Sequence, residues 1–474
     1  MKMKVLWICN TLMPMIAEQM NIEGSNKEGW ISGLAYEVLT RQKENGIRLA
    51  IAFPAPKGSL KDGQEILRKT VKVGDASCEC FGFYEEKGEE EYGSPDLGNR
   101  LVKIYGEVKP EVVHCFGTEY PHAGAAVRFL PDKKRLLFGL QGLCACIAEA
   151  YCANLPDKVI NAKTLRDRLR WDNIIAQRRV FQVRGAMEQE IIGKAENITG
   201  RTEWDREYTE KWNKNAVYYK MNETLRPEFY GPVWERDKCI PHSIFVSQGD
   251  YPLKGLHYML LALPDILAEY PDATLYVAGN SLIKYDTLKD RLKISAYGKY
   301  LRKLIKENRL KDKVISLGPL NARQMRDRYL QSSLFVCCSA VENSPNSLGE
   351  AMLLGMPCVS AGVGGVFSVF TGGRDGILYE GYRMPDKNIK RDGITGDSIS
   401  NQNNNCYSDG QQLKDISRRL ASAVLEMWRK PEKMEEYCKN ARNHAAETHD
   451  KEKNYQRLLE IYAEIVSRNE EKKE

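Results

Sequence analysis

The chain lacks any apolar run of the eighteen or so residues needed to cross a bilayer as a helix, so membrane association would be peripheral. Its opening, Met1-Lys2-Met3-Lys4-Val5-Leu6-Trp7-Ile8-Cys9, is basic and then apolar. The apolar run stops short of a signal-peptide core and no cleavage site follows, so it reads as a first strand. Paired Cys-x-x-Cys spacings are missing. The thirteen cysteines are scattered, and their odd number leaves one over in any complete disulfide framework, which favours a reducing cytosol. One-sided charge is missing too. Seventy basic against 64 acidic residues leave a net +6, too little for a dedicated nucleic-acid binder but compatible with an anionic ligand or membrane surface. With 42% hydrophobic and 28% charged residues, the composition is that of a soluble globular protein, neither disordered nor fibrous.

At 474 residues the chain exceeds one ordinary domain, and length alone predicts about two to three. Short β-rich runs alternate with helical patterns, the mark of α/β domains with parallel sheets. The expected strands are Val5–Cys9, Leu49–Phe53, Val112–Cys115, Leu136–Leu140 and Asn197–Gly200, then Ile244–Val246, Thr274–Ala278, Val314–Leu317, Leu334–Cys337, Cys358–Ala361 and Ile377–Tyr379. Each set would make one doubly wound domain. The aperiodic stretch Leu225-Arg226-Pro227-Glu228-Phe229-Tyr230-Gly231-Pro232 is the linker candidate, giving domains 1–233 and 234–450 with the boundary near Trp234. A polar segment between Arg383 and Gln412 should be an exposed insertion. In the tail, residues 451–474, Tyr455, Leu458, Leu459, Tyr462, Ile465 and Val466 recur at helical spacing, so one face must pack on something.

Glu342 and Glu350 flank a Ser/Pro/Asn loop that leaves a strand and enters a helix. Two carboxylates so placed can both face a ligand at the carboxyl edge of a parallel sheet, and an ionised Glu accepts hydrogen bonds from neighbouring sugar hydroxyls. The same residues also fit a surface loop and a helix start whose dipole favours acids. Three further places could touch a ligand. Gly29, near Gly33 at a loop-to-helix junction, could open backbone amides to a phosphate, or be an ordinary turn glycine. Lys254, in Ser247-Gln248-Gly249-Asp250-Tyr251-Pro252-Leu253-Lys254-Gly255, could neutralise a diphosphate, or be a solvated loop lysine. Gly364 and Gly365 follow a strand and permit close backbone approach, or only a tight turn.

Together and in this order, these motifs resemble the family 4 retaining glycosyltransferases of the GT-B fold. The likeness is closest in Glu342 to Gly365 (ENSPNSLGEAMLLGMPCVSAGVGG), and recognisable in Val246 to Gly255 and at Gly29. It implies two Rossmann-like doubly wound domains facing a cleft, an acceptor-binding one and a donor-binding one, with the C-terminal helix crossing back to the first. It implies a nucleotide-diphosphate sugar as co-substrate, no cofactor, no metal and no Asp-x-Asp site. Glu350 would bind ribose hydroxyls, Glu342 hydroxyls of the transferred sugar, and amides near Asn346, Ser347 and Leu348 sugar and phosphate, while Lys254 and Gly29 would meet the diphosphate. Three positions depart from the family pattern: Gln248 replaces the usual arginine, Glu28 the first glycine of a pair, and Gln141 stands where many relatives have a histidine.

On the acceptor side, Glu119 or His122 could orient or deprotonate an acceptor hydroxyl, and Arg201 could meet a phosphate or acidic acceptor; a structural histidine and a salt bridge are the alternatives. The segment Lys163 to Arg184 interleaves six arginines with Leu165, Leu169, Trp171, Ile174 and Ile175. It fits either a basic helix resting on anionic lipid or a solvated helix with a buried face. The expectation is a cytoplasmic, bacterial-type enzyme, peripheral on the inner membrane face, that moves a sugar to a glycan or lipid-linked acceptor in capsule, exopolysaccharide or other surface-glycan synthesis, with no nucleic acid involved. Its rivals are a sugar-nucleotide epimerase, a phosphorylase and a non-catalytic nucleotide-sugar binder.

Overall fold

Val5, Leu6, Trp7 and Ile8 are all buried, so both faces of β1 (Met3–Ile8) are covered and the strand can only be central. The computed structural model describes residues 3–21, 29–56, 58–61, 63–85, 93–280, 287, 292–384 and 410–471. In it β1 runs parallel to β2 (Ile47–Pro54) on one side and β5 (Val112–Phe116) on the other. With β3 (Ile66–Val73), β4 (Ala76–Phe83), β6 (Leu136–Gly139), β7 (Asn197–Gly200) and β8 (Val217–Lys220), they form an eight-stranded sheet ordered β3-β4-β2-β1-β5-β6-β7-β8. Among these described strands, the edge pair β3–β4 alone is antiparallel. Its two-residue turn places Gly74 at φ +60 beside Asp75, the left-handed backbone that a tight hairpin requires.

The helix Lys451–Glu471 belongs to the same unit, and Tyr455, Leu458, Ile461, Tyr462 and Ile465 share one core with Trp7. A buried polar chain crosses that core. Trp7 Nε1 donates to the Tyr462 hydroxyl at 2.8 Å, and the hydroxyl lies 2.9 Å from His114 Nδ1. Burial pushes His114 down to about 3, so the ring is neutral. With Tyr462 donating to Nδ1, the ring proton is assigned to Nε2.

The second sheet comprises β9 (Ile240–Val246), β10 (Thr274–Ala278), β11 (Val314–Gly318), β12 (Ser332–Cys337), β13 (Cys358–Gly362) and β14 (Ile377–Glu380), all parallel and ordered β11-β10-β9-β12-β13-β14. Each expected strand appears, with ends shifted by at most a few residues; β3, β4 and β8 were not expected. β3 carries too much charge and exposure to stand out as an apolar run and β8 is only four residues long, and pairing with a neighbour, not hydrophobicity, makes them strands.

One compact unit is formed by Met1–Ala145, Val183–Pro227 and Glu447–Glu474, the other by Cys146–Gln182 and Glu228–Ala446. Residues 146–182 therefore group with the second sheet although they lie between β6 and β7 of the first. Ala153 accepts hydrogen bonds from His257 Nε2 and the Tyr258 hydroxyl, both at 2.8 Å. Asp167 accepts from the Ala296 backbone at 2.9 Å, at the start of the helix Ala296–Glu307. Trp234 is buried in the second unit, where its indole donates to the Ser332 carbonyl at 2.8 Å. Most of the polar insertion, residues 385–409, lies outside the described residues, as does Glu28.

Candidate functional site

In the second sheet the strand order reverses between β9 and β12, and in open parallel sheets ligands bind beyond the carboxyl ends at such a reversal. The loop after β9 carries Lys254, and the loop after β12 carries Glu342. Lys254 Nζ lies 2.5 Å from Glu342 Oε1, which also accepts from the Ser339 hydroxyl at 2.7 Å. Burial works against the Lys254 charge, but the Glu342 carboxylate outweighs it and holds the ammonium well above the usual lysine range. Lys254 is thus a fixed cation, 23% exposed, at the sheet's carboxyl edge.

Three contacts place it there. The Ala340 amide donates to the Leu253 carbonyl at 2.7 Å, and the Cys338 thiol to the Lys254 carbonyl at 3.3 Å. Gly255, at φ +68, lies so close to β12 that a Cβ would come within 1.8 Å of the Cys338 oxygen. The glycine turn after β13 joins the group: Gly364 has φ +50, and the Gly365 amide donates to the Glu342 carbonyl at 3.0 Å. Lys254, Glu342, Gly364 and Gly365 are therefore assembled around one loop.

Glu342 leads into the helix Asn346–Leu354, whose start the Pro345 carbonyl caps by accepting from the Leu348 amide at 2.9 Å. Asn346 and Ser347 head the helix, with Asn346 Oδ1 buried and lacking a hydrogen-bond partner among the described residues. An unpaired acceptor beside a helix N-terminus is suited to a hydroxyl-bearing ligand. Glu350, 4% exposed, lies in the second turn of this helix. Gln248 is half-buried, and its neighbour Asp250 binds the Asn280 backbone and side-chain amides at 3.1 and 2.9 Å, tying the β9 and β10 loops together.

In the first unit the order reverses between β1 and β5, where Asn10 donates to the Tyr120 hydroxyl at 2.8 Å. Gly29 is the first residue of the helix Gly29–Thr40, and a Cβ on Gly33 would meet nothing within 4 Å, so Gly33 is not a packing glycine. Glu119 is half-buried. His122 is wholly buried, stacked on Tyr120, with Nδ1 3.1 Å from Glu85; its environment is that of a structural histidine. Arg201 is also interior. It forms an ion pair with Glu223 and donates to the carbonyls of Leu140 and Gln141, each at 2.8 Å. Its guanidinium is a staple for the loop that carries Gln141, whose Nε2 is buried without a partner among the described residues.

Glu188 was not anticipated. It sits in the helix Ile174–Lys194, within a stretch with no distinguishing sequence signal, yet it is fully buried at the carboxyl ends of β5 and β6. Its carboxyl accepts from the Thr118 hydroxyl at 3.1 Å and the Ala145 amide at 3.3 Å, joining the loop that holds Glu119 to the loop that holds Gln141. Burial, then the Glu119 charge, raise it from 4.5 to about 8 against the opposing backbone donors. The folded chain therefore keeps a proton that the unfolded chain releases between these values. Stability should fall as pH rises through that window, by up to about 1.4 kcal/mol per unit, and level off above it. Glu188→Gln should flatten this limb in a profile of unfolding midpoint against pH; an unchanged slope would assign the limb to other groups.

Residues 241–391 match the model of the glycosyl transferases group 1 family. Spore coat protein SA of Bacillus subtilis (strain 168) is 25% identical over 181 residues, 38% of this chain and 46% of that protein, so the chain spans less than half the length of this curated relative. Sucrose-phosphate synthase of Thermosynechococcus elongatus superposes with a TM-score of 0.61 at 13% identity, covering 98% of this chain and 99% of that one. HepE of Anabaena, solved in complex with UDP and glucose, gives 0.58 at 15% identity over 98% and 100%. Residues 241–391, with Lys254, Glu342 and Glu350 among them, match the glycosyl transferases group 1 model, and the chain has the GT-B fold.

Proposed function

We propose that the chain is a retaining hexosyltransferase that needs no metal, and that it transfers a sugar from a nucleotide-diphosphate donor to a glycan or lipid-linked acceptor in the synthesis of a cell-surface glycan, working from the cytosolic side. The observation that carries the reading is the Lys254–Glu342 pair at the strand-order reversal, beside the start of the helix Asn346–Leu354. Lys254 neutralises the departing diphosphate, and the amides of Asn346 and Ser347 add the positive end of a helix. Glu350 takes the ribose hydroxyls and Glu342 those of the sugar; the backbone at Gly364 and Gly365 lines the same place. The bond from the anomeric carbon to the phosphate oxygen breaks, the acceptor oxygen bonds that carbon on the same face, and its proton passes to the departing phosphate. Glu188 acts one layer behind, by fixing the loops of Glu119 and Gln141. That HepE was solved with UDP and glucose supports a uridine donor as the first to try.

The test is a panel of nucleotide sugars read by thermal shift and by release of nucleoside diphosphate. A donor at a hundredfold its dissociation constant should add about 2.7 kcal/mol of stability. Release should rise when a glycan or lipid-linked acceptor is added. No shift with any nucleotide sugar would refute the reading, and a shift without release, with or without acceptor, would leave a non-catalytic binder.

A further inference from the structure

The segment 163–180 turns most of its large apolar side chains outward, Ile174 alone among them being buried. Leu165 and Leu169, one helical turn apart on the short helix Leu165–Arg170, are 61% and 74% exposed, and Trp171, which ends it, is 85% exposed. Ile175 and Val180, on the next helix, are 43% and 47% exposed. An ordinary amphipathic helix would bury this face. Here the polar side is the one held down. Thr164 and Asp167 form a reciprocal cap, Asp167 is anchored on the Ala296 amide, and Arg166 grips Asp167 at 3.0 Å and Asp172 at 2.8 Å. Trp171 is fixed at φ +55, a backbone that disfavours any side chain but glycine, so the exposed indole sits on a constrained turn.

The charge of this face has one sign. Arg166 engages both carboxylates of the stretch, while Lys163, Arg168, Arg170 and Arg179 are exposed and have no ion-pair partner among the described residues. Protruding leucines and a tryptophan within a ring of cations match an anionic lipid surface, which accepts apolar tips without a complementary pocket and attracts the surrounding cations. A second copy would bring the same positive ring against itself. We propose that Leu165, Leu169 and Trp171, with Arg168, Arg170 and Arg179, dock the chain on an anionic membrane surface. This goes beyond the transfer reading, to which it would add access to a lipid-linked acceptor.

The full chain is tested by co-sedimentation with phosphatidylcholine vesicles, with and without phosphatidylglycerol. It should pellet with the anionic vesicles and release as salt rises. The pairs Leu169→Ser/Trp171→Ser and Arg168→Glu/Arg170→Glu should each lower binding by about tenfold or more. Their thermal shift with nucleoside diphosphate should match the unaltered chain, showing that they fold with an intact second unit. No binding to anionic vesicles, equal binding to neutral ones, or unchanged binding of either pair would overturn the proposal. So would self-association that Leu169→Ser/Trp171→Ser abolishes without any vesicle binding. Vesicle binding without any nucleotide-sugar response would instead overturn the transferase reading and leave this one standing.

Discussion

Glu342→Gln should cut sugar transfer by roughly a hundredfold or more while leaving the thermal shift with nucleoside diphosphate nearly intact. The variant keeps the size of the side chain and an oxygen that can accept from Ser339, now 2.7 Å away, but it removes the negative charge beside Lys254. The ammonium is then free to meet a diphosphate without competition, so affinity for the nucleotide holds. The sugar loses its strongest hydrogen-bond acceptor. Lys254→Met should give no such split. It retains the stem that fills the loop and deletes the cation that Glu342 touches, so both the diphosphate shift and turnover should be lost. The two variants read by the same pair of assays separate the roles. Equal loss of nucleotide affinity in both would mean that the pair acts only as a structural clamp.

Gly255→Ala should be the most damaging single methyl in the second unit. Its Cβ would lie 1.8 Å from the Cys338 oxygen and 2.9 Å from the Tyr258 ring, at a backbone φ of +68. Neither the strand carbonyl nor the buried ring can withdraw, and the left-handed backbone adds about 1–2 kcal/mol of its own. The total should exceed roughly 4 kcal/mol, lowering the midpoint of this unit by about 10 °C or preventing accumulation of folded protein. Gly106→Ala is the control. It lies in the helix Pro95–Val108, where a Cβ would meet nothing within 4 Å, and should stabilise by about 0.5–1 kcal/mol. If the two substitutions shift the midpoint alike, the loop of Lys254 is not held against β12 in this way.

Legibility in the sequence followed the range of the interaction. The strands Asn197–Gly200 and Thr274–Ala278 were readable to the residue, because each is a short β-prone run that ends at a glycine. The helix Lys451–Glu471 was readable from period alone, although the period could not name Trp7 and His114 as what its Tyr462 meets. Edge strands β3 and β8 were not, since a half-exposed strand is defined by its neighbour. For the site, the motifs marked Lys254 and Glu342 as loop residues after strands. They could not show that 88 positions of sequence separation close to one ion pair. His122 and Arg201 illustrate the converse. Arg201 follows directly on a strand and His122 opens the helix after one, places where a functional group would stand, and the contacts with Glu223 and Glu85 make them internal partners.

By itself, then, the order of residues determined the alternation of strands and helices, the doubly wound class and the loops that could hold a ligand, because periodicity and turn chemistry are local and each segment carries its own. Tertiary structure decided what local chemistry leaves open. It set β12 beside β9, put residues 146–182 with the second sheet, pushed Glu188 into the interior and turned Leu169 and Trp171 to the outside. Burial and pairing are properties of neighbours distant in sequence, and a side chain's charge, reach and availability follow from those neighbours as much as from its own identity.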